Sequence, residues 1–299
     1  LSYARAVVLR LALLASLLPA LAACGQDEPI PGEDLPSGPL TVMTFNVLCS
    51  LCKTAEYDPW QDRLVYFEDI FTRHDPDLVG VQELTPLDGE VESLLGAIPG
   101  RGAVYFHPPD RLPYPDAAIL YRKSRFQLLD EGSYWLSPTP DVPSSTGFAS
   151  PQLARLVVWA RLRDRFGGRE LVFIDTHFDN NSPSQELSAP LTLERSAEFV
   201  ETHPVIFAGD FNSKPDSPAY ATLTTVFDDV YDLAPTSEVL SNQEPAPAYD
   251  EAQRIDHIFV AGQGRTFAVE SWVVDLYVYG PNDRYPSDHF PIVSTFDYQ

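Results

Sequence analysis

The feature that most constrains this chain is a repeated pattern: a β-branched apolar run that meets a metal- or phosphate-capable side chain at one end. It occurs in PLTVMTFNVL (39–48), DLVGVQELT (77–85), ELVFIDTHFD (170–179), PVIFAGDFNS (204–213) and RIDHIFV (254–260). Runs apolar on both faces suit strands buried on both sides. Between the first two lies WQDRLVYFEDIFTRH (60–74), with Leu64, Phe67, Ile70 and Phe71 at helical spacing and a turn signal, HDPD, at its end. PLDGEVESLLGAI (86–98) opens on proline and suits a short helix. Strand, helix, strand, helix is the layering of an α/β protein. Ligands in such folds gather beyond strand ends, where rigid elements place side chains accurately.

The middle of the chain is more antiparallel, with strands expected over 102–106, 117–121 and 126–135. The polar, proline-rich 137–152 reads as a long loop. ARLVVWARLRDRFGGRELVFIDTHFD (154–179) reads as a hairpin turning at Phe166-Gly167-Gly168-Arg169. Helices are expected over 191–202 and 217–227, a loose acidic stretch over 236–253, and further strands over 266–274 and 290–296. No linker divides this part, so one domain is expected over 40–299. TVMTFNV and LVFIDTH echo one another, which suggests two similar sheets face to face.

The N-terminus differs in kind. Arg5 and Arg10 precede an uncharged apolar run from Leu11 to Ala23, which reads as a signal peptide over 1–23. Leu21-Ala22-Ala23-Cys24 resembles the bacterial lipoprotein box, implying a lipid anchor at Cys24, and 24–39 reads as a flexible tether. The expectation is an extracytoplasmic protein, lipid-anchored at a bacterial membrane surface. Net charge is -23, with 20 basic residues against 43 acidic ones. That balance disfavours nucleic acid, although a divalent cation can still recruit a phosphate locally. Cys49 and Cys52 form a local disulfide, two buried or free thiols, or a redox-active dithiol. They are too few for a four-ligand zinc site.

The polar strand ends supply Asn46, Glu83, Asp175, His177, Asp210, Asn212 and Asp256, and RYPSDHFPIV (284–293) adds Asp288 and His289. Carboxylates with amide oxygens form a hard, oxygen-rich set suited to Mg²⁺ or Mn²⁺. Imidazoles and amides add donors for phosphate oxygens. Extended neighbours point to opposite sides, so Asp288 and His289 reach one pocket only if the strand entry bends between Pro286 and Pro291.

With TFNV at 44–47, VQEL at 81–84, DTHFD at 175–179, GDFN at 209–212, RIDHIFV at 254–260 and SDH at 287–289, the chain resembles the endonuclease/exonuclease/phosphatase superfamily, in its exported bacterial hydrolase form. The resemblance implies a DNase I-like four-layer αββα sandwich: two mixed β-sheets packed face to face with outer helices. It implies one or two Mg²⁺ (or Mn²⁺) ions at Asn46, Glu83, Asp210 and Asp288, with His177, Asp210, Asn212, Asp256 and His289 catalytic. In those roles Asp210 orients water, Asn212 and His177 contact phosphate, and Asp256 orients His289. His257 departs from the family pattern and is expected to face away from Asp256, Asn180 stands where hydrolase-like members carry histidine, and His107 and Arg111 are expected at the pocket rim. The activity implied is hydrolysis of a small-molecule or lipid-derived phosphate ester by a monomer with no obligate protein partner. The alternatives are a nuclease acting on DNA or RNA and an inactive binding lipoprotein on the same scaffold.

Overall fold

Along β1 (Leu40–Asn46), Val42 faces one apolar core and Met43 another. The alternation of a strand thus serves two different layers at once. The computed structural model describes residues 38–52, 55–85, 89–106, 116–148, 153–262 and 267–298. The signal segment, Cys24, all but the last two tether residues, His107 and Arg111 lie outside that set. Among the described residues no helix is long and apolar enough to cross a membrane.

After β1 the chain forms α1 (Trp60–His74), β2 (Leu78–Leu84), α2 (Glu90–Ala97), β3 (Arg101–Tyr105), β4 (Asp116–Arg122) and β5 (Phe126–Trp135). The hairpin of β6 (Leu156–Asp164) and β7 (Glu170–His177) follows, then α3 (Ser182–Thr202), β8 (Pro204–Asp210) and α4 (Pro218–Leu223). Short β9 (Asp228–Asp229), α5 (Val230–Leu233) and β10 (Ser237–Leu240) lead to β11 (Asp256–Gly262), β12 (Phe267–Asp275) and β13 (Ile292–Tyr298). One sheet has seven strands in the order β10-β12-β13-β1-β2-β4-β3, and the other has six in the order β5-β6-β7-β8-β11-β9. Both mix parallel and antiparallel pairs.

The central core joins the sheets: Val42, Leu78 and Ile119 from one meet Val158, Phe173 and Ile206 from the other. Outside the first sheet, Phe67, Ile70 and Leu94 of α1 and α2 cover Met43 and Val79. Outside the second, Ala189 and Leu223 of α3 and α4 cover Val172, Phe207 and Phe259. This is the expected αββα sandwich.

Three local expectations need correction. α3 begins at Ser182 rather than near 191, because the Asn181 side chain caps it by accepting from Ser184 N at 3.2 Å and Pro183 fits its first turn. The helix expected over 217–227 stops at Leu223. The stretch expected to be irregular contains β10, an edge strand paired in parallel with β12. Edge pairing uses backbone groups and leaves little hydrophobic signature. Strand β5 and the residue after it bury Tyr134, Trp135 and Leu136.

Candidate active site

Register brings the polar strand ends together. Across β7, β8 and β11, His177 pairs with Asp210 and Asp210 with Asp256. Each shares the parity of core residues in its own strand (Phe173, Ala208 and Ile258), so all three side chains enter the space between the sheets at one end. His177, Asp210 and Asp256 are consequently buried. Parity also separates residues that lie close in sequence. His257 faces the outer layer, where its ring nitrogens lie 3.2 Å from Asp229 Oδ2 and 2.9 Å from Ser213 O, so it is occupied away from Asp256. Asp175 shares His177's parity but lies two residues deeper. There it accepts from Gln82 Nε2 at 2.7 Å and serves the core between the sheets rather than the cleft.

From the opposite sheet, Asn46 continues the inner face of β1, with Nδ2 3.1 Å from Asp210 Oδ2 and 3.3 Å from Glu83 Oε1. Its Oδ1 accepts from Leu48 N at 3.1 Å, so in this arrangement Asn46 presents donors to the carboxylates. Glu83 has the parity of Val79 and Val81, which face α1 and α2. It reaches the site because the β2–β4 register shifts between Val81 and Leu84 and its own backbone is left-handed, at φ 59°. A bulge that redirects a side chain in this way stores strain locally. Cys49 N donates to Glu83 Oε2 at 3.3 Å, and Cys49 is disulfide-bonded to Cys52, which resolves the alternatives left open by the sequence.

The segment before β13 closes the site. Ser287 Oγ donates to Asn46 O at 2.7 Å, and His289 N donates to Ser287 Oγ at 3.2 Å. His289 Nδ1 lies 2.8 Å from Asp256 Oδ2, and Nε2 lies 3.6 Å from Asp210 Oδ2. Asp288 is exposed, yet it lines the same open cleft of about 360 Å³ as His289, Asp256, Tyr249 and Phe290. It lies outside the compact trio of Asp210, Asp256 and His289. Asn212, at φ 47°, donates from Nδ2 to Phe178 O at 3.0 Å and from its backbone N to Asp210 Oδ1 at 2.9 Å.

Arg155 was not anticipated. Its Nη1 lies 2.9 Å from His177 Nδ1, and His177 Nε2 lies 3.4 Å from Asp210 Oδ2. An arginine only donates, so Nδ1 must accept, and the ring is neutral with its proton on Nε2. A sequence signal existed: in a β6–β7 hairpin with Val157 opposite Thr176, the chain entering β6 passes His177.

The electrostatics agree with this reading. Burial, Arg155 and His289 hold the His177 imidazole well below its usual pKa. Burial and then the neighbouring Asp256 carboxylate push Asp210 up to about 7, against the opposing effects of His289, Asn212 N and Asn46. Burial opposes charging His289, but Asp256, Asp210 and Asp288 outweigh it and carry its pKa up to about 10. Without a cation, the pocket thus keeps protons on its acidic cluster.

That shortage of positive charge fits a divalent ion. Asp210, Asp256 and His289 offer ligand atoms within 4.8 Å of one another, and Asp256 Oδ1 is buried with no hydrogen-bond partner among the described residues. Glu83 adds a carboxylate that accepts two long bonds of 3.3 Å. Mostly carboxylate donors suit Mg²⁺ or Mn²⁺.

Comparisons with known proteins converge on one family. The model of the Endonuclease/Exonuclease/phosphatase family matches residues 43–289. An endonuclease/exonuclease/phosphatase family protein from Bacteroides thetaiotaomicron is 28% identical, with TM-score 0.75 over 87% of this chain and 95% of that one. A mannosyl-6-phosphatase from the same organism is 28% identical, with TM-score 0.74 over 86% of this chain and 99% of that one. A probable CCR4-Not complex 3'-5'-exoribonuclease subunit from Encephalitozoon cuniculi is 28% identical in an alignment that covers 63% of this chain and 45% of that protein. The chain therefore spans less than half the length of that curated relative.

Proposed function

This chain belongs to the endonuclease/exonuclease/phosphatase family, hydrolases of phosphate esters, and from that premise we propose a divalent-metal-dependent phosphoesterase acting on a small-molecule or lipid-derived ester outside the cytoplasm. The observation that carries this reading is the meeting of Glu83, Asn46, Asp210, Asp256 and His289 at one end of the two sheets.

Glu83 and Asp210, with Asp288 at the mouth, would hold the cation, whose chemistry when bound is to neutralise charge on the phosphoryl oxygens. Asp256 holds the Nδ1 proton of His289; with a cation neutralising the neighbouring carboxylates the ring would give up its second proton, and Nε2 would then take one from an attacking water beside Asp210. His177 presents its Nε2 proton toward the same space, and Arg155 keeps it in that tautomer. One amide hydrogen of Asn212 holds Phe178 O, and the other is left for a phosphate oxygen.

A small substrate is favoured by the charge balance of 20 basic against 43 acidic residues, because binding several backbone phosphates calls for a basic groove. The likeness to a mannosyl-6-phosphatase points the same way. The export and anchor at Cys24 are proposed from the basic-then-apolar leader. The exoribonuclease relative supports a second reading, a nuclease.

A metal-dependence panel over sugar phosphates, bis-p-nitrophenyl phosphate, sphingomyelin, plasmid DNA and RNA, with Glu83→Gln as control, tests both. Chelator-sensitive turnover of a small ester supports the first reading. Rapid cleavage of nucleic acid that is lost in the control replaces it with the second.

A further inference from the structure

Arg63 is a buried cation beside this site, and none of the chemistry above uses it. It sits on the inner face of α1, 2% exposed, with its guanidinium 5.4 Å from the Trp60 ring and 5.6 Å from that of Phe67. Burying a guanidinium is costly unless its donors are met. Here burial pulls its pKa down to about 10, although Glu90, Asp288, Asp58 and Glu83 lie near enough to oppose the fall. Its hydrogen bonds go to backbone carbonyls rather than to those carboxylates: Nη1 to Val47 O at 2.5 Å and Pro286 O at 2.9 Å, and Nη2 to Leu48 O at 2.6 Å.

The placement of those carbonyls is informative. Val47 and Leu48 directly follow Asn46, and Leu48 N bonds Asn46 Oδ1. Pro286 precedes Ser287, whose hydroxyl donates to Asn46 O and accepts from His289 N. One planar guanidinium therefore clamps the loop that sets Asn46 and Glu83 to the loop that sets Asp288 and His289. Glu90 of α2 complements it by accepting from Ser50 N at 2.6 Å and Thr85 N at 2.5 Å, on either side of the Cys49–Glu83 contact.

We infer that Arg63 is a positioning residue, fixing the separation of the Asn46–Glu83 arm and the Asp288–His289 arm through the carbonyls of Val47, Leu48 and Pro286. The inference rests on the phosphoesterase reading for its catalytic consequence, whereas the clamp itself is a matter of structure. Lysine conserves the charge but not the fork, since a single ammonium cannot span three carbonyls in one plane.

The test compares wild type, Arg63→Lys, Arg63→Met and, as a control on the exposed side of α1, Val65→Ser. It measures kcat and KM, Mn²⁺ binding by electron paramagnetic resonance, thermal melting, and amide hydrogen exchange of peptides covering 44–52 and 283–290. Well below its melting temperature, Arg63→Lys is expected to lose about 10- to 100-fold in kcat, as for a displacement of about 1 Å at a reacting centre, with KM changed less than about 2-fold. Mn²⁺ affinity falls, and exchange rises in both peptides together. Val65→Ser leaves all four readouts unchanged. A lower melting temperature with wild-type kcat, Mn²⁺ affinity and peptide exchange would make Arg63 an ordinary structural residue and overturn the inference. If wild type neither binds Mn²⁺ nor hydrolyses any ester, the phosphoesterase reading fails. The exchange of the two peptides then decides the clamp alone, unchanged protection in Arg63→Lys overturning it.

Discussion

The imidazole of His289 is held between carboxylates of neighbouring strands: Nδ1 lies 2.8 Å from Asp256 Oδ2, and Nε2 faces Asp210 Oδ2 at 3.6 Å. Asp256 and Asp210 are register partners on β11 and β8, so sheet pairing itself sets the separation of the groups that the ring bridges. His289 arrives from the other sheet, and its position therefore reports how the two sheets are stacked.

His289→Ala is expected to lower kcat by at least ~100-fold, the lower end for a positioned proton-transfer group. Asp256→Asn keeps the shape but removes the carboxylate that fixes the ring, so a smaller loss of about 10-fold is expected. Because the two act as a unit, the double variant should be little worse than His289→Ala alone. Steady-state kinetics at saturating metal check this, and multiplicative losses would separate the roles.

Glu83→Gln removes a hard anionic ligand but leaves the amide contacts sterically possible. Mn²⁺ affinity should fall by at least ~10-fold and turnover by about 100-fold. Wild type stripped with chelator should lose activity and regain it with Mg²⁺ or Mn²⁺. Titration calorimetry checks the affinity.

Arg155→Met leaves His177 Nδ1 without its donor and frees the ring to change tautomer. A charge-assisted hydrogen bond of this kind contributes about 1.5–3 kcal/mol, so a loss of about 10- to 100-fold in turnover is expected. Folding should survive, because Arg155 is only half-buried and lies at a strand entrance. Wild-type kcat in this variant would remove Arg155 from the site.

The pH dependence of metal-free stability has a definite sign. Asp210 is raised to about 7, so between the ordinary carboxylate range and pH 7 the native state holds a proton that the unfolded chain has released. His289 is raised to about 10, and its favourable contribution is full below the ordinary histidine pKa and lost as pH rises through 10. Both make stability fall as pH rises. Below the ordinary histidine range the depressed His177 acts in the opposite direction, so the melting temperature of the metal-free protein should decline from about pH 7 to pH 9, and divalent cation should flatten the decline. A metal-free melting temperature that rises across that window would contradict the assignment.

Gly80→Ala tests how closely the sheets pack. A Cβ there would lie 2.3 Å from Asp175 Oδ1 and 3.1 Å from Ala208 Cβ, both on the facing sheet. Destabilisation of about 1–3 kcal/mol is expected from denaturant unfolding. An unchanged midpoint would mean that the sheets move apart readily.

Much of this protein is carried locally. The periodicity of Leu64, Phe67, Ile70 and Phe71 marks α1 over Trp60–His74, and doubly apolar runs mark the strands that two cores enclose. The polar strand ends mark the residues that gather at the candidate site, since an apolar strand has no packing reason to finish on Asp, Asn or His. Strand alternation alone is enough to turn His257 away from Asp256.

Tertiary structure decided the rest. Glu83 should by alternation face α1 and α2, and only a bulge with a left-handed residue, a property of pairing with β4, swings it into the cleft. Arg155 and Arg63 look like ordinary arginines, one at the entrance of an apolar strand and the other in an amphipathic helix. Their partners, His177 Nδ1 in one case and the carbonyls of Val47, Leu48 and Pro286 in the other, lie 22, 16, 15 and 223 residues away in sequence. Propensity and periodicity act over a few residues, so the sequence by itself specified which groups stand at strand ends. Which of those groups meet, and what holds them there, depends on register and on the stacking of two sheets, which no short window of sequence contains.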